Sequence, residues 1–172
     1  MDNFTKCDIE RYLSELNDEL AREDTKGEIC IYGGAMMCLA FDARPSTKDV
    51  DAIFKPETII RRAAELIATR HNLRGDWLND ALKGFLVAHN QNLYVELSNL
   101  RVFLPDPEYL LAMKAMAARV DASDKDDIIF LIERLGIESA DKLFSIIEAY
   151  YPHNRIKPAA QFFIEEIFES GL

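Results

Sequence analysis

The sequence predicts an α+β protein: a mixed sheet flanked by helices, followed by a helical C-terminal part. Three observations predict this. Short β-branched runs alternate with amphipathic segments through the first two-thirds of the chain. A Gly-Gly pair, Gly33-Gly34, sits where a strand passes into an apolar helix. The last third carries helical periodicity alone. The division is read as a core over 1–105 with a helical part over 106–172 packed on it, or the two as one continuous domain.

The elements follow in order. Asp8–Asp24 places Ile9, Tyr12, Leu13, Leu16 and Leu20 on one helical face, with Asp8 as the expected N-cap. Glu28–Tyr32 is short and apolar, as a central strand is. Ala35–Phe41 is apolar on most sides and must be a buried helix. Asp42–Lys48 is a polar loop. In the strand Asp49–Phe54, Val50, Ala52 and Phe54 point one way and Asp49, Asp51 and Ile53 the other. A helix from Pro56 to about Arg70 follows, with the proline in its first turn.

Gly75–Leu82 reads as irregular or helical. Phe85–His89 and Leu93–Leu97 read as a hairpin across Asn90-Gln91, and Ser98-Asn99 turns the chain into a further strand, Arg101–Leu104. Pro105-Asp106-Pro107 ends the sheet. Asp106 caps a helix over Glu108–Arg119, and Ser123–Leu135, Ser139–Tyr150 and Ala159–Ser170 are three more. No internal repeat and no low-complexity tract is present.

Composition narrows the class. Hydrophobic residues make up 49% and charged residues 29% of the 172, an ordinary globular balance. The net charge of −10 argues against non-specific nucleic-acid binding, which needs clustered Lys and Arg. Arg61, Arg62, Arg70 and Arg74 form a local basic stretch, read as a solvated helix face or as a path for a polyanion. Cys7, Cys30 and Cys38 form no C-x-x-C pair, which fits a reducing compartment. No apolar run reaches the ~18 residues of a membrane span, so the expectation is a cytoplasmic protein with no membrane partner. His71, His89 and His153 lack metal-ligand spacing. The Phe-rich end, Phe162, Phe163 and Phe168, is read as core or as a homo-oligomer contact. P-loop, zinc-deaminase and G-x-S-x-G patterns are absent.

The chemistry-bearing stretch is Ile29–Phe54. Asp49 and Asp51, two residues apart on a strand, share a face. Burying both carboxylates would cost several kcal/mol unless a cation neutralises them, so they face solvent or bind a metal. Gly33-Gly34, ahead of a helix, offers backbone N–H groups to a phosphate with no Cβ in the way. Together these are parts for holding a nucleoside triphosphate (NTP) and Mg²⁺. Arg44 is read as a phosphate contact or as a partner of Asp42 or Asp49. The adjoining Thr47 and Lys48 are read with the nucleotide site.

The pattern G-G-x₁₄-D-x-D resembles the signature of the nucleotidyltransferase superfamily related to DNA polymerase β. The wording of Gly33, Gly34, Ala35, Arg44, Thr47, Asp49, Val50 and Asp51 is similar to a toxin-like branch of it, that of the AbiEii abortive-infection and MenT-type toxins. A second block, Lys114 and Arg119 followed by Asp124-Lys-Asp-Asp127-Ile128, also resembles that branch. By itself this block reads equally as a salt-bridged corner between helices. The resemblance covers roughly Ile29–Leu135 and implies a nucleotidyltransferase-like fold.

It further implies a Mg²⁺-dependent nucleotidyltransferase moving a nucleotide from an NTP to a hydroxyl on RNA or protein, with an antitoxin as possible partner. Asp49 and Asp51 would hold the metal, Lys114 would meet a phosphate, and Asp127 or Asp124 would orient Lys114 or the acceptor. The superfamily carries a third carboxylate on a neighbouring strand, for which the expectation is Glu96, ahead of Asp76 in its turn. The alternative is a non-catalytic binding or assembly module that keeps the fold.

Overall fold

A computed structural model describes residues 3–117, 122–152 and 154–171. Arg119 and His153, named above, lie outside the described residues. The elements are α1 (Lys6–Arg22), β1 (Gly27–Ile31), α2 (Gly33–Phe41), β2 (Val50–Lys55), α3 (Glu57–His71), β3 (Leu78–Asn79), a 3₁₀ turn (Ala81–Phe85), β4 (Gln91–Glu96), β5 (Leu100–Pro105), α4 (Pro107–Ala117), α5 (Ala122–Leu135), α6 (Ala140–Tyr150) and α7 (Pro158–Glu169). The α+β class with a mixed sheet and a helical C-terminal part is therefore as the sequence predicts. The chain forms two compact units, one of Met1–Leu86 with Gln91–Pro105, the other of Val87–Asn90 with Asp106–Leu172.

The first unit is built on a five-stranded sheet in the order β3-β2-β1-β5-β4. Strand β1 is central: it runs antiparallel to β2 and parallel to β5. Its odd residues Gly27, Ile29 and Ile31 share one face, the face that α1 and α3 cover. A Cβ placed on Gly27 would lie 2.9 Å from Leu20 Cδ1 and 3.1 Å from Ile60 Cδ1. Ile9, Leu16, Leu20, Ile60 and Ile67 from those helices are wholly buried, as are Val50, Ala52 and Val102 from the strands. Each large aliphatic side chain so removed from water contributes roughly 1.5–3 kcal/mol. The alternation along β2 leaves Asp51 half-buried while Val50, Ala52 and Phe54 are buried.

Helix α1 starts one turn earlier than expected. Thr5 is the N-cap, and Asp8 closes a capping box by accepting from the Thr5 backbone N–H at 3.0 Å. Asp8 is thus the third helical residue rather than the cap. The basic residues of α3 and the segment after it are tied to carboxylates: Arg61 to Asp80, Arg62 to Glu23, Arg70 to Glu15 and Glu19, and Arg74 to Asp76. This favours a solvated, ion-paired surface over a path for a polyanion.

One of these contacts has a pH signature. Glu19 is nearly buried and accepts from Arg70 at 2.6 Å and Arg22 at 2.5 Å. Its carboxyl is held below its usual value, chiefly by Arg70. A depressed carboxyl stabilises the fold above its unfolded value and loses that stabilisation as pH falls through the folded one. Glu19→Gln is therefore expected to lower the melting temperature at pH 7. Its acid limb below about pH 4.5 should also be shallower than in the wild type, by calorimetry across pH.

Two sequence expectations are corrected in this unit. Phe85–His89 is not a strand; Phe85 ends the 3₁₀ turn and the hairpin joins β4 to β5 across Leu97–Asn99. The cause is a competing set of contacts. The Val87 N–H donates to the Tyr109 hydroxyl at 3.2 Å, and the His89 ring stacks on Tyr109 at 4.0 Å. Val87–Asn90 accordingly groups with the second unit. Strand β3 escaped the sequence because two residues carry no readable alternation; its parallel pairing of Val50 with Leu78 and Asp51 with Asn79 defines it.

The second unit is helical. Ser139 caps α6 by accepting from the Lys142 N–H at 3.2 Å. Pro158 opens α7 in its first turn. Tyr109, wholly buried on α4, receives the Tyr151 hydroxyl contact at 3.4 Å. Burial then pushes the Tyr151 phenol far above its ordinary value. Among the described residues no helix is long and apolar enough to cross a membrane.

Candidate functional site

Strand β1 delivers the chain to Tyr32, whose backbone N–H donates to the Asp51 carbonyl at 2.9 Å. Helix α2 then starts at Gly33, which has φ +59°, a left-handed conformation that a Cβ makes costly. Tyr32 provides no side-chain cap, and the first turn carries no acid. The N-terminal backbone N–H groups and the positive end of the helix dipole face this turn.

A side chain at either glycine would crowd its neighbours. A Cβ on Gly33 would stand 2.9 Å from Asp51 Oδ2. One on Gly34 would stand 2.6 Å from Thr47 Oγ1 and 3.0 Å from Arg44 Nη1. So Gly33, Gly34, Arg44, Thr47 and Asp51, separated by up to 18 positions in sequence, meet at one helix N-terminus. The Arg44 guanidinium lies at the glycine turn, and Asp42 also meets Lys6 at 3.5 Å.

Asp49 immediately precedes β2 and is half-buried. Burial pushes its carboxyl up; Arg74 and Lys48 pull it down and Asp76 pushes it up. Arg74 holds Asp76 through two hydrogen bonds, Nε to Oδ1 at 2.9 Å and Nη2 to Oδ2 at 2.5 Å, and lowers that carboxyl. Lys48 is exposed. Arg74 and Asp76 come to Asp49 because β3 runs alongside β2, with the Val50 N–H donating to the Trp77 carbonyl at 2.7 Å. Sequence reasoning grouped Arg74 with α3 and set Asp76 aside as a turn residue; the missing signal was β3 itself.

Glu96 is not brought to the aspartates. It is exposed on the edge strand β4, separated from β2 by β5 and β1, about 14 Å at ordinary strand spacing. The ladder Glu96–Arg101–Glu28–Lys55 also sets it level with Lys55, well past Asp51 along β2. Hairpin closure onto β5, rather than onto β2, decides this. The other two expected residues belong to the second unit. There Lys114 on α4 pairs with Asp124 at 3.0 Å and Asp127 at 2.8 Å on α5, and all three are buried or half-buried.

Among the described residues, no group of three or more His, Cys, Asp or Glu is arranged to hold a metal ion. Two carboxylates would be enough for Mg²⁺. This ion takes hard oxygen donors, keeps several waters, and is commonly held by one or two carboxylates together with substrate phosphates. Asp51 at the glycine turn and Asp49, two residues before it, are the residues that would hold the ion.

The start of α2 thus carries Gly33 and Gly34 with Arg44, Thr47 and Asp51 around them, on a mixed sheet. Residues 9–165 match the family described as "Nucleotidyltransferase of unknown function (DUF6036)", and the chain belongs to that family. No curated protein and no solved structure gives a significant match to the chain.

The tightness of the turn makes one substitution diagnostic. Gly34→Ala places a methyl group in the space between the glycine and the Thr47 hydroxyl and Arg44 guanidinium. The expected result is a nucleotide affinity at least about tenfold weaker, a loss of 1.4 kcal/mol or more, with helical content unchanged by circular dichroism.

Proposed function

We propose that this protein is a Mg²⁺-dependent nucleotidyltransferase that moves a nucleotide from an NTP to a hydroxyl on a protein or RNA acceptor. The observation that carries the reading is the meeting of Gly33, Gly34, Arg44, Thr47 and Asp51 at the start of α2. In the reaction, the acceptor oxygen forms a bond to the α-phosphorus. The bond from that phosphorus to the α,β-bridging oxygen breaks, pyrophosphate leaves, and the hydroxyl proton passes to water.

The backbone N–H groups of Gly33 and Gly34 would receive phosphate oxygens. The Arg44 guanidinium and the Thr47 hydroxyl would fix their orientation, and Lys48 would add positive charge at the entrance. Asp49 and Asp51 would hold Mg²⁺, which supplies charge neutralisation at the phosphates. The resemblance given above also names Lys114 and Asp127, which lie in the second unit and pair with each other there.

The toxin-like branch, with an antitoxin as partner, is the finer part of this proposal and rests on the two sequence blocks. The net charge of −10 and the pairing of the α3 arginines favour a protein acceptor over tRNA. A non-catalytic module is the second reading, favoured by the placement of Glu96 away from the aspartates. Incubation with each labelled NTP, Mg²⁺ and total cell RNA and protein separates the two. Label in one macromolecular fraction supports transfer; label in neither, alongside intact NTP binding, supports the module.

A further inference from the structure

Thr47 is held from outside its own loop. The polypeptide between α2 and β2 contains no helix or strand, and its Thr47 instead forms an antiparallel bridge with Phe4. The Phe4 N–H donates to the Thr47 carbonyl at 2.6 Å, and the Thr47 N–H donates to the Phe4 carbonyl at 2.9 Å. Phe4 is itself pinned. Its ring is 5% exposed and meets Tyr12 and Trp77 edge-on, with centroids 5.8 Å and 6.2 Å away. Tyr12 and Trp77 touch each other at 5.3 Å, and the Trp77 indole N–H donates to the Ala64 carbonyl at 3.0 Å. The next residue, Thr5, is the N-cap of α1.

These contacts link α1, α3 and the approach to β3 to one loop residue whose hydroxyl lines the Gly34 turn. Phe4 also stands before residue 9, where the family match begins. We infer that Phe4 is a positioning residue: its two-bond bridge and aromatic anchor hold Thr47, and through it the phosphate cradle, in binding geometry. This rests on the nucleotide reading above.

Displacements of about 1 Å at a binding group can cost up to ~100-fold, so a freed loop has a measurable penalty. The buried ring also contributes to stability, so the test reads position as well as stability. Two variants, Phe4→Leu and Phe4→Ala, are compared with the wild type at a temperature where all three are folded. One arm is amide hydrogen exchange at Thr47, with no nucleotide present. The other is calorimetric titration with each NTP and Mg²⁺.

The expected order in both arms is wild type, Leu, Ala, with Phe4→Ala losing about tenfold in Thr47 protection and about tenfold in NTP affinity. The hold of the Phe4 ring on Thr47 is refuted if Thr47 protection in Phe4→Ala equals that of the wild type. The positioning role is refuted if protection falls while affinity stays within about twofold. A wild type that binds no NTP contradicts the nucleotide reading and the positioning role together, and the exchange arm then still decides whether Phe4 holds the loop.

Discussion

The double substitution Asp49→Asn and Asp51→Asn is expected to abolish Mg²⁺-dependent NTP binding and to reduce nucleotide transfer by a factor of about 1,000 or more. The reason is charge. Asn keeps the shape and one oxygen of Asp but cannot neutralise a divalent cation, and nothing in the cradle replaces the two lost carboxylates. Gly33, Gly34 and Arg44 would supply donors to phosphate, and the neutral Thr47 hydroxyl cannot replace two lost negative charges.

The fold should survive. Burial already works against the charged form of Asp49, so a neutral side chain there relieves a cost rather than adding one. The melting temperature of Asp49→Asn alone, without nucleotide, should equal or exceed that of the wild type at pH 7. A variant that binds NTP with wild-type affinity in Mg²⁺ overturns the assignment of these two aspartates.

Lys114→Ala has the largest expected effect on stability. The ammonium is 8% exposed and lies 2.8 Å from Asp127, itself 3% exposed, and 3.0 Å from Asp124. Removing one member of a buried ion pair withdraws the charge that offsets its partner's desolvation, at a cost of roughly 3–5 kcal/mol. For a chain of this length that lowers the melting temperature by roughly 10 °C.

A neutral pair behaves differently. Lys114→Met with Asp127→Leu removes both charges while retaining apolar volume, and should recover most of the loss. This separates two roles for Lys114. A clasp between α4 and α5 predicts the stability pattern just given. A cation reserved for phosphate predicts that Lys114→Ala removes transfer while leaving the melting temperature unchanged.

Much of the cradle was legible in the chain. The Gly-Gly turn and the alternation from Val50 to Phe54 each follow from local rules, and α2 and β2 formed as those rules required; Asp49 falls just before β2, outside that alternation. The partnership of Arg44 and Thr47 with Gly34 was legible only as a pattern of spacing, because a loop's path is set by what it packs on. Glu96 shows the limit in the other direction. Its alternation was readable, but which strand β4 would pair with was not, and strand order alone moved it away from Asp51.

Similarly, Phe4 gave no signal, since one aromatic residue ahead of a helix has no period. Its function in the fold comes from Tyr12, Trp77 and Thr47, which are distant in sequence and meet only in the folded unit. Arg74 and Asp76 escaped for the same reason as β3, because two paired residues fall below the length at which alternation can be read.

The central claim is that the start of α2 and the head of β2 together bind a nucleoside triphosphate with Mg²⁺. Calorimetric titration of the wild-type protein with ATP, GTP, CTP and UTP tests it directly, each with Mg²⁺ and again with a chelator. Saturable heat is expected with at least one nucleotide, lost in chelator and lost in the Asp49→Asn, Asp51→Asn variant. Absence of heat with all four nucleotides in Mg²⁺, from a folded protein, would contradict it.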